Sequence, residues 1–337
     1  MRISQLLIVS LMLGSVVGYI FSTLGVPLPW MLGPLAVTMN FSLLAGQVKA
    51  PLPMRWAGQF IVATAVALNL TGDMLDIILA SFLWMVLSAF LILTAAVLGA
   101  RWLSGSGKID RATAAFSLLP GGAVEMAGLA TRFGGDGAFV ALTQTLRIAS
   151  IVVFVPFLMI ALGSPVLNPA GQTQYFSLPA IVLIALAGIL PTLVMFRFRL
   201  ANAFFVGPLA GVGLYALSGL PGSDIPALLL IAAQIMLGVS LGSMFDRTAF
   251  LRLGRIAPYT IAISIALVVT GLIIGFGFSL IGVGATGPML LANAPGSVAE
   301  MAIVARSSGF EPSLIAAYHL TRIFIIVPFA PLLFRLV

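Results

Sequence analysis

Two carboxylates, two guanidiniums and two proline-glycine pairs stand at matched spacings in an otherwise apolar chain. Pro120-Gly121-Gly122-Ala123-Val124-Glu125-Met126 recurs as Pro295-Gly296-Ser297-Val298-Ala299-Glu300-Met301, 175 residues later. An arginine follows each glutamate by 22 residues, as Arg147 and Arg322. Proline removes a helical hydrogen bond and glycine permits the turn, so each motif predicts a break between two half-helices. The half-helix after a break begins with free N–H groups and a positive dipole end, which favour an anion. Pro120, Gly121, Gly122, Pro295, Gly296 and Ser297 are therefore candidate substrate-binding residues. The Ser297 hydroxyl adds a donor, and Asn293, just before the second break, adds an amide.

Glu125 and Glu300 fall one turn into the second half-helices. They can complement the helix dipole and pair with the arginines, or carry a coupling proton or cation, the default reading for an intramembrane carboxylate. Arg147 and Arg322 lie about a third to a half of the way along the apolar runs they occupy, and a lone charge there costs several kcal/mol, so each needs a partner. The glutamates are the obvious partners; a substrate carboxylate is the other, which makes both arginines candidate substrate-binding residues. Gln144 with Thr143, and His319 with Tyr318, lie within a turn of these arginines. His319 is the only histidine. It can accept a proton near neutral pH or serve as a hydrogen-bonding group. Gln144 joins Glu125, Glu300 and His319 as a coupling or ion-pair candidate. Gln59 and Gln234, at matched positions, line the same cavity or bond between helices.

These groups must be held by elements suited to lipid. Hydrophobic residues make up 61% of the chain and charged residues 7%, far too few to cover a soluble domain. The apolar runs lack the period of two that barrel strands require, so the expected fold class is an all-α integral membrane protein. The N-terminal run, from about Met1 to Phe21, reads as a first transmembrane helix rather than a cleaved signal. With no cysteine and one histidine, the chain offers no disulfide and no metal-ligand cluster, and no metal or other cofactor is expected. No P-loop for ATP and no nucleic-acid-binding module is visible.

The expected helices in the first half cover 4–22, 30–47, 56–72, 77–100 and 137–162, with a broken segment at 112–132. Those in the second half cover 177–196, 203–219, 226–244, 256–283 and 312–335, with a broken segment at 287–307. Aligned without gaps, 120–156 and 295–331 share 14 identities in 37 positions, where roughly 4 would be expected by chance in so apolar a chain. Upstream, Gly33-Pro34-Leu35-Ala36 matches Gly207-Pro208-Leu209-Ala210. The domain boundaries follow: a first repeat at 1–165 and a second at 175–337.

Loop charge orients the repeats. The basic loop carrying Lys49 and Arg55 matches 219–225, which has no Lys or Arg. The acidic turn at Asp73 and Asp76 matches the loop with Arg247, Arg252 and Arg255. The basic stretch Arg101, Lys108 and Arg111 matches an uncharged turn at 283–287. With Arg2, Arg197, Arg199 and Arg335 also marking cytoplasmic ends, the positive-inside rule predicts two inverted-topology repeats. Inversion demands an odd number of crossings in each, so each has five transmembrane helices plus one re-entrant broken hairpin. Both termini are then cytoplasmic. Twelve full spans in parallel repeats are the alternative, which leaves the charge inversion without a cause.

The duplicated motif, the downstream helices around Arg147 and Arg322, and the upstream Gly-Pro pairs resemble the AbrB membrane-protein family, distinct from the soluble transition-state regulator of the same name. The resemblance covers essentially the whole chain and implies a multi-pass protein of the bacterial inner membrane. Family members carry the labels ammonia monooxygenase and regulator of aidB expression. One histidine and no cysteine make a metal-dependent oxygenase the least favoured reading. The expected function is a secondary transporter or permease for a small anionic or zwitterionic metabolite, alternating access at the repeat interface. The expected partners are the lipid bilayer, the solute and H+ or Na+ as coupling ion; assembly into a homo-oligomer is open. The alternative is a membrane regulator or sensor without transport, acting on gene expression indirectly.

Overall fold

The computed structural model describes residues 3–105, 109–165, 177–200, 202–248, 251, 257–334 and 337. Among these the secondary structure is helical. The first half holds α1 (Ile3–Thr23), α2 (Pro29–Leu44), α3 (Leu52–Ala67), α4 (Gly72–Ala80), α5 (Phe82–Gly105), α6 (Arg111–Leu118), α7 (Ala123–Arg132) and α8 (Gly137–Ala161). The second holds α9 (Leu178–Arg197), α10 (Ala203–Leu217), α11 (Ala227–Gly242), α12 (Ala257–Leu280), α13 (Thr286–Asn293), α14 (Val298–Ser307) and α15 (Pro312–Leu333).

Both predicted breaks are present: Leu119 to Gly122 separates α6 from α7, and Ala294 to Ser297 separates α13 from α14. The two helices after the hairpins start on acidic caps at matched positions. Asp136 accepts from the Ala138 and Phe139 amides at 2.9 and 3.0 Å, and Glu311 accepts from the Ser313 amide at 3.4 Å. Such caps satisfy N–H groups that a helix start otherwise leaves open.

The region around residues 68–81 departs from expectation. The helix expected to reach residue 72 ends at Ala67, and the one expected at 77–100 is two helices, α4 and α5. Asn69 donates its side-chain amide to the Ala65 carbonyl at 2.8 Å, and the Thr71 hydroxyl accepts from the Met74 amide at 3.3 Å. Short polar side chains of this kind favour caps and turns over helix interiors, and α3 and α4 are bent by 101° to one another.

Among the described residues five helices are long and apolar enough to cross a membrane, or up to six if the bent α3–α4 pair forms one span. Three shorter apolar helices accompany them, Ala203–Leu217, Ala227–Gly242 and Ser264–Leu280. Leu83, Phe154, Leu178 and Leu214 stand exposed on the outer surface, while Gln144, Asn293, His319, Arg147 and Arg322 are buried. That distribution suits a lipid exterior and a polar interior. Of the basic residues used to orient the chain, Arg2, Lys108, Arg252, Arg255 and Arg335 lie outside the described residues, as does most of the 163–176 loop.

The packing recurs between the halves. Helix α1 packs on α2 as α9 does on α10, and α2 packs on α11 as α10 does on α3. Likewise α5 meets α6 as α12 meets α13, α7 meets α8 as α14 meets α15, and α5 meets α15 as α12 meets α8. Close approach at matched points explains the Gly-Pro pairs. A Cβ on Gly33 would collide with the Gly18 backbone, and one on Gly207 with Thr192. Small residues at such crossings let membrane helices pack backbone to backbone. The largest apolar core lies among α2, α3, α8, α11 and α13 to α15, beside the two breaks.

Candidate functional site

A break at membrane depth leaves carbonyls at the end of the first half-helix without partners, and lipid supplies none. Both hairpins solve this with the helix that follows. In the second, Arg322 donates to the carbonyls of Ala294 at 3.1 Å and Gly296 at 2.8 Å, and His319 Nε2 meets the Leu291 carbonyl at 3.1 Å. In the first, Gln144 Nε2 donates to the carbonyls of Phe116 and Leu119, both at 2.8 Å, and Arg147 donates to that of Leu118 at 3.4 Å. Gln144 Oε1 and His319 Nδ1 also match in a second respect, since each accepts from the arginine three residues later. The hairpins turn alike as well, with Gly121 N–H on the Leu119 carbonyl and Gly296 N–H on that of Ala294.

This geometry corrects the expected pairing. Neither Arg147 nor Arg322 forms an ion pair with Glu125 or Glu300; both guanidiniums hold carbonyls and a neighbouring polar side chain. The carbonyls win because they lie within reach of the guanidinium and each has a lone pair to offer, the Ala294 oxygen accepting from both Gly296 N–H and Arg322. Each arginine keeps donor capacity in reserve, since the buried Nε atoms of Arg147 and Arg322 have no partner. It also assigns His319. With Nδ1 accepting from a cation, the ring proton sits on Nε2 and the imidazole is neutral, the same bridge that Gln144 makes without a titratable group.

Both arginines open onto one cavity of about 520 Å³, which includes its open mouth. It is lined by Arg55 and Gln59 of α3, Pro120, Gly121 and Gly122 of the first break, Gly296, Ser297 and Val298 of the second, and Asn202 and Phe205 at the start of α10. Arg147, Ile148, Ala299, Arg322 and Ile323 complete the wall. The starts of α7 and α14 therefore face the same space. The Ser297 hydroxyl is not spent on capping α14.

Seven of the expected site residues thus converge: Pro120, Gly121, Gly122, Gly296, Ser297, Arg147 and Arg322, with Gln59 beside them. Six lie outside the lining. Asn293 is fully buried, donating to the Met289 carbonyl at 2.8 Å and accepting from the Ser88 hydroxyl. Pro295 is buried within the turn, and Gln144 and His319 stand behind the arginines. The twin glutamates have diverged. Glu125 is exposed, its carboxylate folded over Gly122 at the cavity edge. Glu300 is 2% exposed, and its Oε2 has no partner. Gln234, the match of Gln59, is also buried outside the lining, with Oε1 unpartnered.

Two polar lining residues were not foreseen as site residues. Arg55 read only as a topology marker, yet it lies one helical turn before Gln59 on the same face of α3. Asn202 precedes α10 with φ 55°, a left-handed conformation that asparagine adopts more readily than most residues. Its match in the first half, Leu28, has φ 50° and is buried in the main core.

Long apolar helices and buried polar groups around two broken helices define a multi-pass helical membrane protein with an arginine-lined cavity. A family model described as "Transition state regulatory protein AbrB" matches residues 30–337, and the chain belongs to that AbrB family. The chain is similar to "Putative regulator AbrB" of Escherichia coli strain K12, with 26% identity over 330 residues covering 94% of this chain and 92% of the relative. It is also similar to "Uncharacterized protein YhjN" of Bacillus subtilis strain 168, with 25% identity over 352 residues covering 95% and 90%.

Proposed function

We propose that this protein is a secondary transporter of the bacterial inner membrane for a small anionic or zwitterionic metabolite. One observation carries the reading: three guanidiniums, of Arg55, Arg147 and Arg322, and the starts of two half-helices line a single cavity. Broken helices meeting at a solute cavity are a transporter arrangement. The packing that recurs between the halves supports two inverted repeats of five spans and a re-entrant hairpin, bounded near 165 and 175.

The cavity mouth supports an inward-open state. Arg55 and Asn202 lie at helix ends flanked by Lys49, Arg197 and Arg199, the basic side that faces the cytoplasm. Of the matched positions on the other face, Leu28 is packed in the main apolar core and Leu230 is buried. Exchanging the conformations of the two repeats would open that face and close this one. Glu300, buried with its Oε2 unpartnered, and Glu125, exposed, are the pair that such an exchange would invert, which suits a role in coupling to H+ or Na+.

Uptake into proteoliposomes tests the reading. Counterflow of a labelled organic anion, abolished by Arg322→Gln, is the expected result; binding without flux would sink it. A regulator or sensor is the second reading, favoured by the name "Putative regulator AbrB" of the Escherichia coli relative. It predicts solute binding without movement of solute across the bilayer.

A further inference from the structure

The charges around the cavity are unequal, and the excess identifies a class of ligand. Arg55, Arg147 and Arg322 line it, and no carboxylate does among the described residues. Two glutamates lie close by. Glu125 covers Gly122 at the edge, and Glu300 is buried in the first turn of α14, outside the lining. Helices α7 and α14 each have 10 residues and begin at the cavity, each contributing a positive end of about half a charge. The guanidiniums and helix ends therefore exceed the glutamates by roughly two charges.

The positive groups differ in burial. Arg147 and Arg322 are 2% and 3% exposed, and each has an unpartnered buried Nε. Arg55 is half-buried, in the first turn of α3, where its guanidinium meets the weak acceptor Met244 Sδ at 3.7 Å. The same wall is partly apolar, through Ile148, Phe205 and Ile323. Arg55 has no counterpart in the second half, where Leu230 holds the matched position.

We propose that the cavity binds a small organic dianion of the dicarboxylate class, one acidic group at Arg147 and Arg322 and the other at Arg55. Arg55 is then the residue that selects two acidic groups over one. An ammonium group would meet no lining carboxylate, and the apolar wall fits a short carbon chain better than an inorganic anion. The proposal rests on the solute-binding cavity of the transporter reading, narrows its anionic or zwitterionic solute to the first, and is testable without flux.

The test uses the purified full-length chain in detergent and measures binding of malonate, succinate, glutarate, succinamate, alanine and sulfate by calorimetry. At least one dicarboxylate is expected to bind about tenfold or more tightly than succinamate, since a charge-assisted hydrogen bond is lost with the second acid. Arg55→Gln is expected to reduce that preference to about twofold, and Arg55→Lys to keep most of it. The half-exposed position of Arg55 makes both variants compatible with folding. No dicarboxylate binding, alanine or sulfate binding as tightly, or an unchanged preference in Arg55→Gln would each overturn the proposal. Dicarboxylate binding without uptake would leave it standing and refute transport; alanine uptake would do the reverse.

Discussion

Arg322 donates to Nδ1 of His319 across 2.6 Å, while the other ring nitrogen meets the Leu291 carbonyl at 3.1 Å. The imidazole thus bridges a guanidinium and the last turn of α13, as Gln144 bridges Arg147 and the end of α6. A protonated ring would set two cations against one another. His319→Gln should therefore retain ligand binding and flux, with a thermal midpoint within a few degrees of the wild type. His319→Ala leaves the Leu291 carbonyl unpaired and should lose about 1–3 kcal/mol, read by detergent-solubilised unfolding. A large loss of proton-coupled flux in His319→Gln at full stability would restore a proton role for the ring.

Arg147 and Arg322 hold hairpin carbonyls as well as facing the cavity, so charge alone should not replace them. Arg322→Lys keeps the charge but cannot span the Ala294 and Gly296 carbonyls in one plane. It should lower stability by about 1–3 kcal/mol. Arg322→Gln should lose ligand affinity as well. Equal stability of Lys and Gln variants with the wild type would mean the hairpin needs no such staple.

The twin glutamates should respond differently to the same change. Glu300→Gln removes a buried carboxylate whose Oε2 has no partner, so folding stability should hold or rise. Glu125→Gln, at an exposed site, should change stability by less than about 0.5 kcal/mol. Ion-gradient dependence of uptake should vanish in Glu300→Gln if that carboxylate carries the coupling ion. Unfolding curves and uptake with collapsed gradients check the two halves of this expectation.

Gly271 of α12 lets that helix lie against the second break. A Cβ there would strike the Asn293 carbonyl and approach Pro295 Cδ at 3.0 Å. Gly271→Ala should cost about 1–3 kcal/mol through overpacking. Gly277→Ala, on the same helix with open space around it, should cost nothing measurable in the same unfolding assay.

The breaks at Pro120-Gly121 and Pro295-Gly296 and most helix boundaries were legible because they depend on groups within about one helical turn; the acidic caps at Asp136 and Glu311 came only with the structure. The apolar composition likewise pointed to a membrane-spanning class, since 7% charged residues cannot clothe a soluble surface. The end of α3 near Asn69 was missed because side-chain competition for a single carbonyl is invisible to hydropathy.

Sequence by itself determined that two carboxylates and two guanidiniums stand at matched stations beside two helix breaks. Tertiary structure decided who pairs with whom. Spacing made Glu125 and Glu300 the natural partners of Arg147 and Arg322, but the carbonyls at the breaks lie within reach and take the guanidiniums instead. It also decided that identical motifs are unequal, with Glu125 exposed and Glu300 buried, and that Arg55 and Asn202 join the cavity. Those outcomes depend on which helices meet across the fold, a relation that the order of residues along one helix does not contain.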